Sequence, residues 1–290
     1  MDIGFIGLGL MGRPMALHLA EAGHRLHLWA RRPASLTPFA GTLAVAHDSP
    51  AEMAAASEVV FTMVADAPDV REVILGANGV ADGARAGAII VDMSTIAPAA
   101  AQDIGRQLAA RQLHFLDAPV SGGEVGAIQA TLTIMVGGEE AAFARVRPLL
   151  ACLGKSVTLI GASGAGQVAK ACNQILTGVT VAAVAEALHF AQRSGVDAAR
   201  VREALLGGFA YSRILENHGQ RMLDGNFAPG FKAWMHRKDL RIVLEEAQRL
   251  DLMLPNSAAT AQMFNAVVGC GFGEEDSISV LKVLGRLSQA

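Results

Sequence analysis

A single lysine enters the most apolar stretch of this chain. In GAGQVAKACN, from Gly164 to Asn173, Lys170 stands just ahead of a run from Ala171 to Ala187 that is apolar on nearly every side. Such a run predicts a helix buried all round rather than an amphipathic one. Lys170 and Asn173 are three residues apart, so on a helix they share a face. An ammonium and an amide converging there could hold one small polar group and deliver a proton to it. Equally, a lysine at a helix end can lay its stem along apolar surface and send its amine to water. This stretch alone leaves both readings open.

The second chemical signal is at the start of the chain. Asp2 to Ile6 is a short apolar run, followed by GLGLMG and then a helical pattern from Arg13 to Ala22. Strand, glycine turn and helix in that order are the context a dinucleotide fingerprint requires. Gly7 allows the turn, Gly9 lets the backbone approach a pyrophosphate, and Gly12 lets helix pack on strand, with the phosphates at the helix N-terminus. The next strand-like run, Arg25 to Ala30, ends in Arg31 and Arg32, where an NAD site would place a carboxylate for the ribose hydroxyls. Two guanidiniums suit the additional phosphate of NADP, although arginines at a strand end are also common as solvated surface residues.

These groups need elements to hold them. Further strand-like runs at 43–46, 59–64, 88–92 and 114–116 alternate with helical or polar segments, which predicts a mostly parallel sheet. Ligands of such sheets bind beyond the carboxyl ends of the strands. The residues to inspect are therefore Met63–Asp66, Asp92–Thr95 and Asp117–Gly123. In the last, Ser121, Gly122 and Gly123 offer a hydroxyl and two unobstructed backbone N–H groups for a carboxylate, or simply a loop of turn residues. Strand-like runs at 131–136 and 156–160 flank a helix at 139–153. After Gly161 only helical patterns follow, at 165–194, 197–206, 211–223, 232–250, 256–268 and 276–287, punctuated by Gly195, Gly207-Gly208, Pro229-Gly230 and Pro255. The reading is an α/β domain over residues 1–162 and an all-helical domain over 163–290, joined by the long helix that carries Lys170.

Composition limits the class. The chain has 290 residues, 52% hydrophobic and 18% charged, with a net charge of -3. That suits a compact enzyme-like protein and gives no basic stripe for nucleic acid. Cys152, Cys172 and Cys270 have no ligand spacing and read as reduced thiols of a cytoplasmic protein. The eight histidines show no metal-ligand spacing, so no metal is expected. Asn173, Gln174 and Glu186 are expected to keep the apolar run after Lys170 too short to span a membrane.

Taken together, GLGLMG at Gly7–Leu8–Gly9–Leu10–Met11–Gly12, DAPVSGG at Asp117–Gly123, GAGQVAKACN at Gly164–Asn173 and KDL at Lys238–Leu240 make the whole chain resemble the β-hydroxyacid dehydrogenase family. The resemblance implies a Rossmann-type domain followed by an all-helical domain that carries the contacts of a homodimer or homotetramer. It implies that Lys170 is the catalytic lysine. Ser121, Gly122 and Gly123 match the substrate-carboxylate loop, Asn173 the substrate-positioning amide, and Thr95, Phe231 and Asp239 further positions lining the substrate. Gly7 to Gly12, Arg31, Arg32, Met63, Val64, Thr95 and Lys238 fall where the cofactor, NADP or else NAD, would lie. Gln174 departs from the second asparagine that the family often carries.

The runs through Glu124, from Asp92 to Pro98 and at Pro229–Phe231 look most similar to the family's tartronate semialdehyde reductase branch. Reduction of tartronate semialdehyde to glycerate is thus the implied reaction. Oxidation of 3-hydroxyisobutyrate, or reduction of glyoxylate or succinic semialdehyde, is the alternative, and a non-catalytic nucleotide-binding module is a remote one. Tyr211 and Arg213 stand in a stretch unlike those reductases. Arg213 could bind a second carboxylate or serve only as a surface charge.

Overall fold

A computed structural model describes residues 1–288. The chain divides into two compact units, Met1–Lys170 and Ala171–Ala290. The first contains β1 (Asp2–Ile6), α1 (Gly12–Glu21), β2 (Arg25–Trp29), β3 (Val45–Ala46), α2 (Pro50–Ala55), β4 (Val59–Thr62), α3 (Ala67–Leu75), α4 (Val80–Gly83) and β5 (Ile89–Asp92). It continues with α5 (Pro98–Ala109), β6 (His114–Asp117), β7 (Val120–Ser121), α6 (Gly123–Ile128), β8 (Leu132–Gly138), α7 (Glu140–Ala151) and β9 (Gly154–Gly161). The helix α8 (Ala165–Arg193) begins in this unit and runs into the second.

The strands form one sheet in the order β3-β2-β1-β4-β5-β6-β8-β7, with β9 on the other side of β8. Pairing is parallel from β3 to β6; β8 runs antiparallel to β6 and β7 and parallel to β9. The order reverses between β2 and β4 around β1, a switch point at which doubly wound sheets bind ligands. Strand burial explains the parallel arrangement. VVFT of β4 and IIVD of β5 are buried throughout, as a sheet covered on both faces demands. Successive residues feed opposite faces: Val59 and Phe61 join one core cluster and Val60 the other. Phe61 stacks on Phe5 at 5.9 Å between ring centroids, and truncating either to alanine would cost about 3–5 kcal/mol.

The second unit holds α9 (Ala198–Leu206), α10 (Arg213–Leu223), α11 (Ala233–Arg249), α12 (Pro255–Gly269) and α13 (Val280–Leu287). Val181, Val184 and Leu188 of α8, Leu240 of α11, and Phe264 and Val267 of α12 form its core.

The structure departs from the sequence expectation in four places. α8 is not buried all round: Val168, Leu176 and Phe190 are 47, 69 and 74% exposed, and Cys172 is exposed beside them. Asn173, Gln174 and Glu186 do not shorten its apolar run as expected, since by length and composition alone it could cross a membrane. β3 is only two residues long, because Thr42 folds back onto Phe39 O and accepts from Ala44 N, so the chain is still turning where the strand was expected to start. The Ser121–Gly123 segment is not a plain loop but the junction of β7 and α6.

Candidate active site

The glycine turn meets the test for a dinucleotide cradle. A Cβ on Gly7, whose φ is +95°, would lie 2.0 Å from Met63 O, and one on Gly12 would lie 2.0 Å from Gly7 O. Both positions are closed to any side chain, and they hold strand, turn and helix together. Gly9 faces open space, with nothing within 4 Å of a Cβ. The backbone is thus bare where a pyrophosphate would approach, and no side chain caps the N-terminus of α1. Met63, at the end of β4, donates its N–H to Ile6 O, so the turn and the β4 loop sit side by side.

Beneath these loops lies a buried polar network. Thr62 Oγ1 donates to Asp92 Oδ1 at 2.8 Å, Ser94 N donates to the same oxygen, and Val64 N donates to Ser94 Oγ at 2.9 Å. Gln167, 1% exposed in the first turn of α8, accepts from Ile96 N and donates to Ser94 O. Thr95 is thereby held between two fastened neighbours. Asp117 accepts from Gly164 N at 2.7 Å and from Gln167 N at 2.9 Å, so a carboxylate at the end of β6 completes the first turn of the helix bearing Lys170. Burial pushes the Asp117 carboxyl up to about 6, against those two N–H bonds, and the nearby Asp92 carboxylate adds to the rise. Lys170 itself is only 7% exposed, which does not fit a side chain reaching for water.

Two backbone conformations shape the Ser121–Gly123 segment. Val120 and Ser121 pair with Ile134 and Thr133 of β8. Gly122 then takes φ +140° and Gly123 φ +62°, regions that disfavour L side chains, before α6 begins. The two glycines let the chain turn from strand to helix within two residues and leave the Ser121 hydroxyl half-buried at the bend.

In the second unit the expected residues are linked to one another. Asn173 Nδ2 donates to Gln174 Oε1 at 2.7 Å, and Gln174 Nε2 donates to Asp239 Oδ2 at 2.6 Å. Asp239 Oδ1 lies 3.1 Å from Lys238 Nζ, and both residues are buried. Asp276, 1% exposed, accepts from the N–H groups of Gly230 and Phe231 and pairs with Arg221, which fixes the Pro229–Phe231 turn. The Phe231 ring meets His236 edge-on at 5.4 Å.

Other expected positions are less constrained. Arg31 and Arg32 are exposed, and Arg31 pairs with Asp69 and Glu72 of α3 at 3.1 and 2.9 Å. Tyr211 is exposed and donates to Glu216, while Arg213 opens α10 at the surface. The sequence places Asp92, Ser94 and Asp117 among the residues after strand ends without giving them a role, and it does not single out Gln167. The available signals were a carboxylate closing an apolar strand and a glutamine inside an apolar helix start, since buried polar side chains need partners.

Comparison with known proteins finds matches in both units. Residues 2–161 match the model of the NAD binding domain of 6-phosphogluconate dehydrogenase, and residues 164–284 match that of the NAD-binding domain of NADP-dependent 3-hydroxyisobutyrate dehydrogenase. The chain is 46% identical to 2-hydroxy-3-oxopropionate reductase of Escherichia coli K12, over 98% of its own length and 97% of that protein's. Among solved structures, 3-hydroxyisobutyrate dehydrogenase of Mycobacterium tuberculosis, determined with L-serine, superposes with a TM-score of 0.90 at 30% identity, covering 98% of each chain. A protein solved in complex with NADP+ superposes with a TM-score of 0.88 at 25% identity, covering 97% of this chain and 99% of that one. With the glycine cradle at the switch point of its sheet and these matches along its length, the chain belongs to the β-hydroxyacid dehydrogenase family, the NAD(P)-dependent oxidoreductases that include 3-hydroxyisobutyrate dehydrogenase.

Proposed function

We propose that this enzyme reduces 2-hydroxy-3-oxopropionate, also called tartronate semialdehyde, to glycerate, and that it draws on NADPH. Identity to the Escherichia coli reductase supports the substrate. The observation that carries the mechanism is a buried Lys170 in the second turn of a helix whose first turn is fastened by Asp117 and Gln167. Bound nicotinamide supplies the hydride that reaches the aldehyde carbon. As negative charge grows on the carbonyl oxygen, the Lys170 ammonium meets it and transfers a proton, giving the alcohol; in the oxidative direction the neutral amine takes that proton back. Ser121 Oγ with the N–H groups of Gly122 and Gly123 receives the substrate carboxylate, and Asn173 positions the reacting end. Thr95, Phe231 and Asp239 complete the lining.

The segment Gly7–Gly12, Met63, Val64, Thr95 and Lys238 holds the cofactor, residues 1–162 being the nucleotide domain and 163–290 the helical one. Arg31 and Arg32 receive the phosphate that distinguishes NADP, with Arg31 exchanging its pairing to Asp69 and Glu72 for it. The protein is a cytoplasmic homodimer or homotetramer that covers the exposed apolar stripe of α8 at Val168, Leu176 and Phe190.

The test is the initial rate of cofactor oxidation, with NADPH and NADH each offered tartronate semialdehyde, methylmalonate semialdehyde, glyoxylate and succinic semialdehyde. Tartronate semialdehyde with NADPH is expected to give the highest kcat/KM. A clear preference for methylmalonate semialdehyde with NADH would overturn the substrate and cofactor together, in favour of a 3-hydroxyisobutyrate dehydrogenase.

A further inference from the structure

Asn173, Gln174 and Asp239 form one hydrogen-bonded chain, which ends at the ion pair of Asp239 with Lys238, and its donor–acceptor order constrains what the site can show a substrate. An ionised carboxylate accepts and cannot donate. Gln174, 3% exposed, therefore has to turn Nε2 toward Asp239 Oδ2, 2.6 Å away; the reversed amide would set two buried acceptors against each other. Its Oε1 then faces the other way and needs a donor, which it finds in Asn173 Nδ2 at 2.7 Å, while the nearby Thr177 hydroxyl gives its one proton to Asn173 O at 2.9 Å. The amide of Asn173 is fixed in turn, with nitrogen toward Gln174 and Oδ1 on the opposite branch. The charge of Asp239 thus sets the polarity of Asn173 through the side chain between them. An asparagine at 174, one methylene shorter, would have to surrender one of the two contacts.

Resting on the role proposed above for Asn173, we infer that Gln174 is a positioning residue that makes Asn173 offer its carbonyl oxygen to the substrate. The site consequently selects small aldehyde acids with a hydroxyl on the carbon beside the aldehyde over those with a methyl or hydrogen there. A hydroxyl donates to Oδ1, whereas a methyl leaves that oxygen desolvated and unpaired, a penalty that hydrogen-bonding sites exploit to reject analogues.

The experiment compares kcat/KM with NADPH for 2-hydroxy-3-oxopropionate, 3-oxopropionate and 2-methyl-3-oxopropionate in the wild type, Gln174→Met and Asp239→Asn. Methionine keeps the shape at 174 without an amide; asparagine keeps the shape at 239 without the charge, and serves if the first variant does not fold. The wild type is expected to favour the hydroxylated aldehyde by about tenfold or more over each analogue, and both variants to lose about tenfold of that ratio. Gln174→Met should leave the NADPH Kd unchanged. A packing defect alone would lower all three rates together, and an unchanged ratio in both variants overturns the inference while leaving the proposed substrate standing. A wild type that prefers the methyl-bearing aldehyde overturns both.

Discussion

Replacing Asp117 by asparagine should remove a pH dependence of stability that runs opposite to the usual carboxylate behaviour. Most paired carboxylates are held below their ordinary range and lose their contribution as pH falls. Asp117 is raised from 3.8 to about 6, because burial outweighs the two N–H bonds it accepts. Between those values the native carboxyl still holds a proton that the unfolded chain has released, so stability falls as pH rises through the window and levels off above about 6. A rise of that size corresponds to about 3 kcal/mol at about 1.36 kcal/mol per unit, and about 2 kcal/mol of it falls between roughly pH 4.5 and pH 7.5. The assay is urea unfolding of the wild type and Asp117→Asn at half-unit intervals across that range, with unfolding free energies from linear extrapolation. Groups that titrate alike in the two proteins cancel in the difference. The wild type should lose about 2 kcal/mol relative to the variant on going from the acid to the neutral end. A difference that is flat, or that grows in favour of the wild type with pH, would refute the reasoning.

Lys170→Ala should lower turnover by about 10²–10⁴-fold while leaving NADPH affinity near wild type, as rapid-mixing kinetics and fluorescence titration would show; wild-type turnover would remove the lysine from the mechanism. Gly9→Ala and Gly7→Ala should separate binding from folding. The first places its methyl in open space and should weaken NADPH by about 10–100-fold with little change in Tm, whereas the second meets Met63 O and should destabilise the fold by several kcal/mol, on the order of 3 or more. Neutralising Arg31 and Arg32 should raise the KM for NADPH by about 10–100-fold and barely change that for NADH; equal losses would dismiss the assigned phosphate contact. Leu176→Glu with Phe190→Glu should shift the protein toward monomer in analytical ultracentrifugation, and an unchanged mass would place the subunit contact elsewhere.

The architecture was legible because its signals are periodic or sterically exclusive. Continuous apolar runs such as VVFT and IIVD predict doubly covered strands, and GLGLMG has glycine at two positions where a Cβ would collide with backbone. Lys170 was legible as an oddity in an apolar helix. What holds it was not, because Asp117 and Gln167 act through bonds spanning 47 to 73 residues, and no local pattern encodes a partner so far away. The exposed face of α8 escaped for a related reason. Alanine, valine and leucine fill both its inward and outward positions, so hydrophobicity cannot distinguish a face packed within the chain from one left open. β7 and α6 were missed because they are two and six residues long; Gly122 and Gly123 mark a turn in the sequence, but not that it joins a strand to a helix.

The fastening of α8 also carries an order of assembly. Helices commonly cap their first turn with a nearby serine, threonine or aspartate, which lets that turn form early and alone. Gly164 and Gln167 instead give their N–H groups to a strand residue made long before them, and the Gln167 side chain reaches the loop after β5. Closing such contacts costs the entropy of a long loop, which local helix growth does not. The capping of the turn preceding Lys170 is therefore complete only when the carboxyl ends of β5 and β6 are in place. In amide exchange, the Gly164 and Gln167 protons should be protected as long as the strands are, while the helix downstream keeps its own schedule.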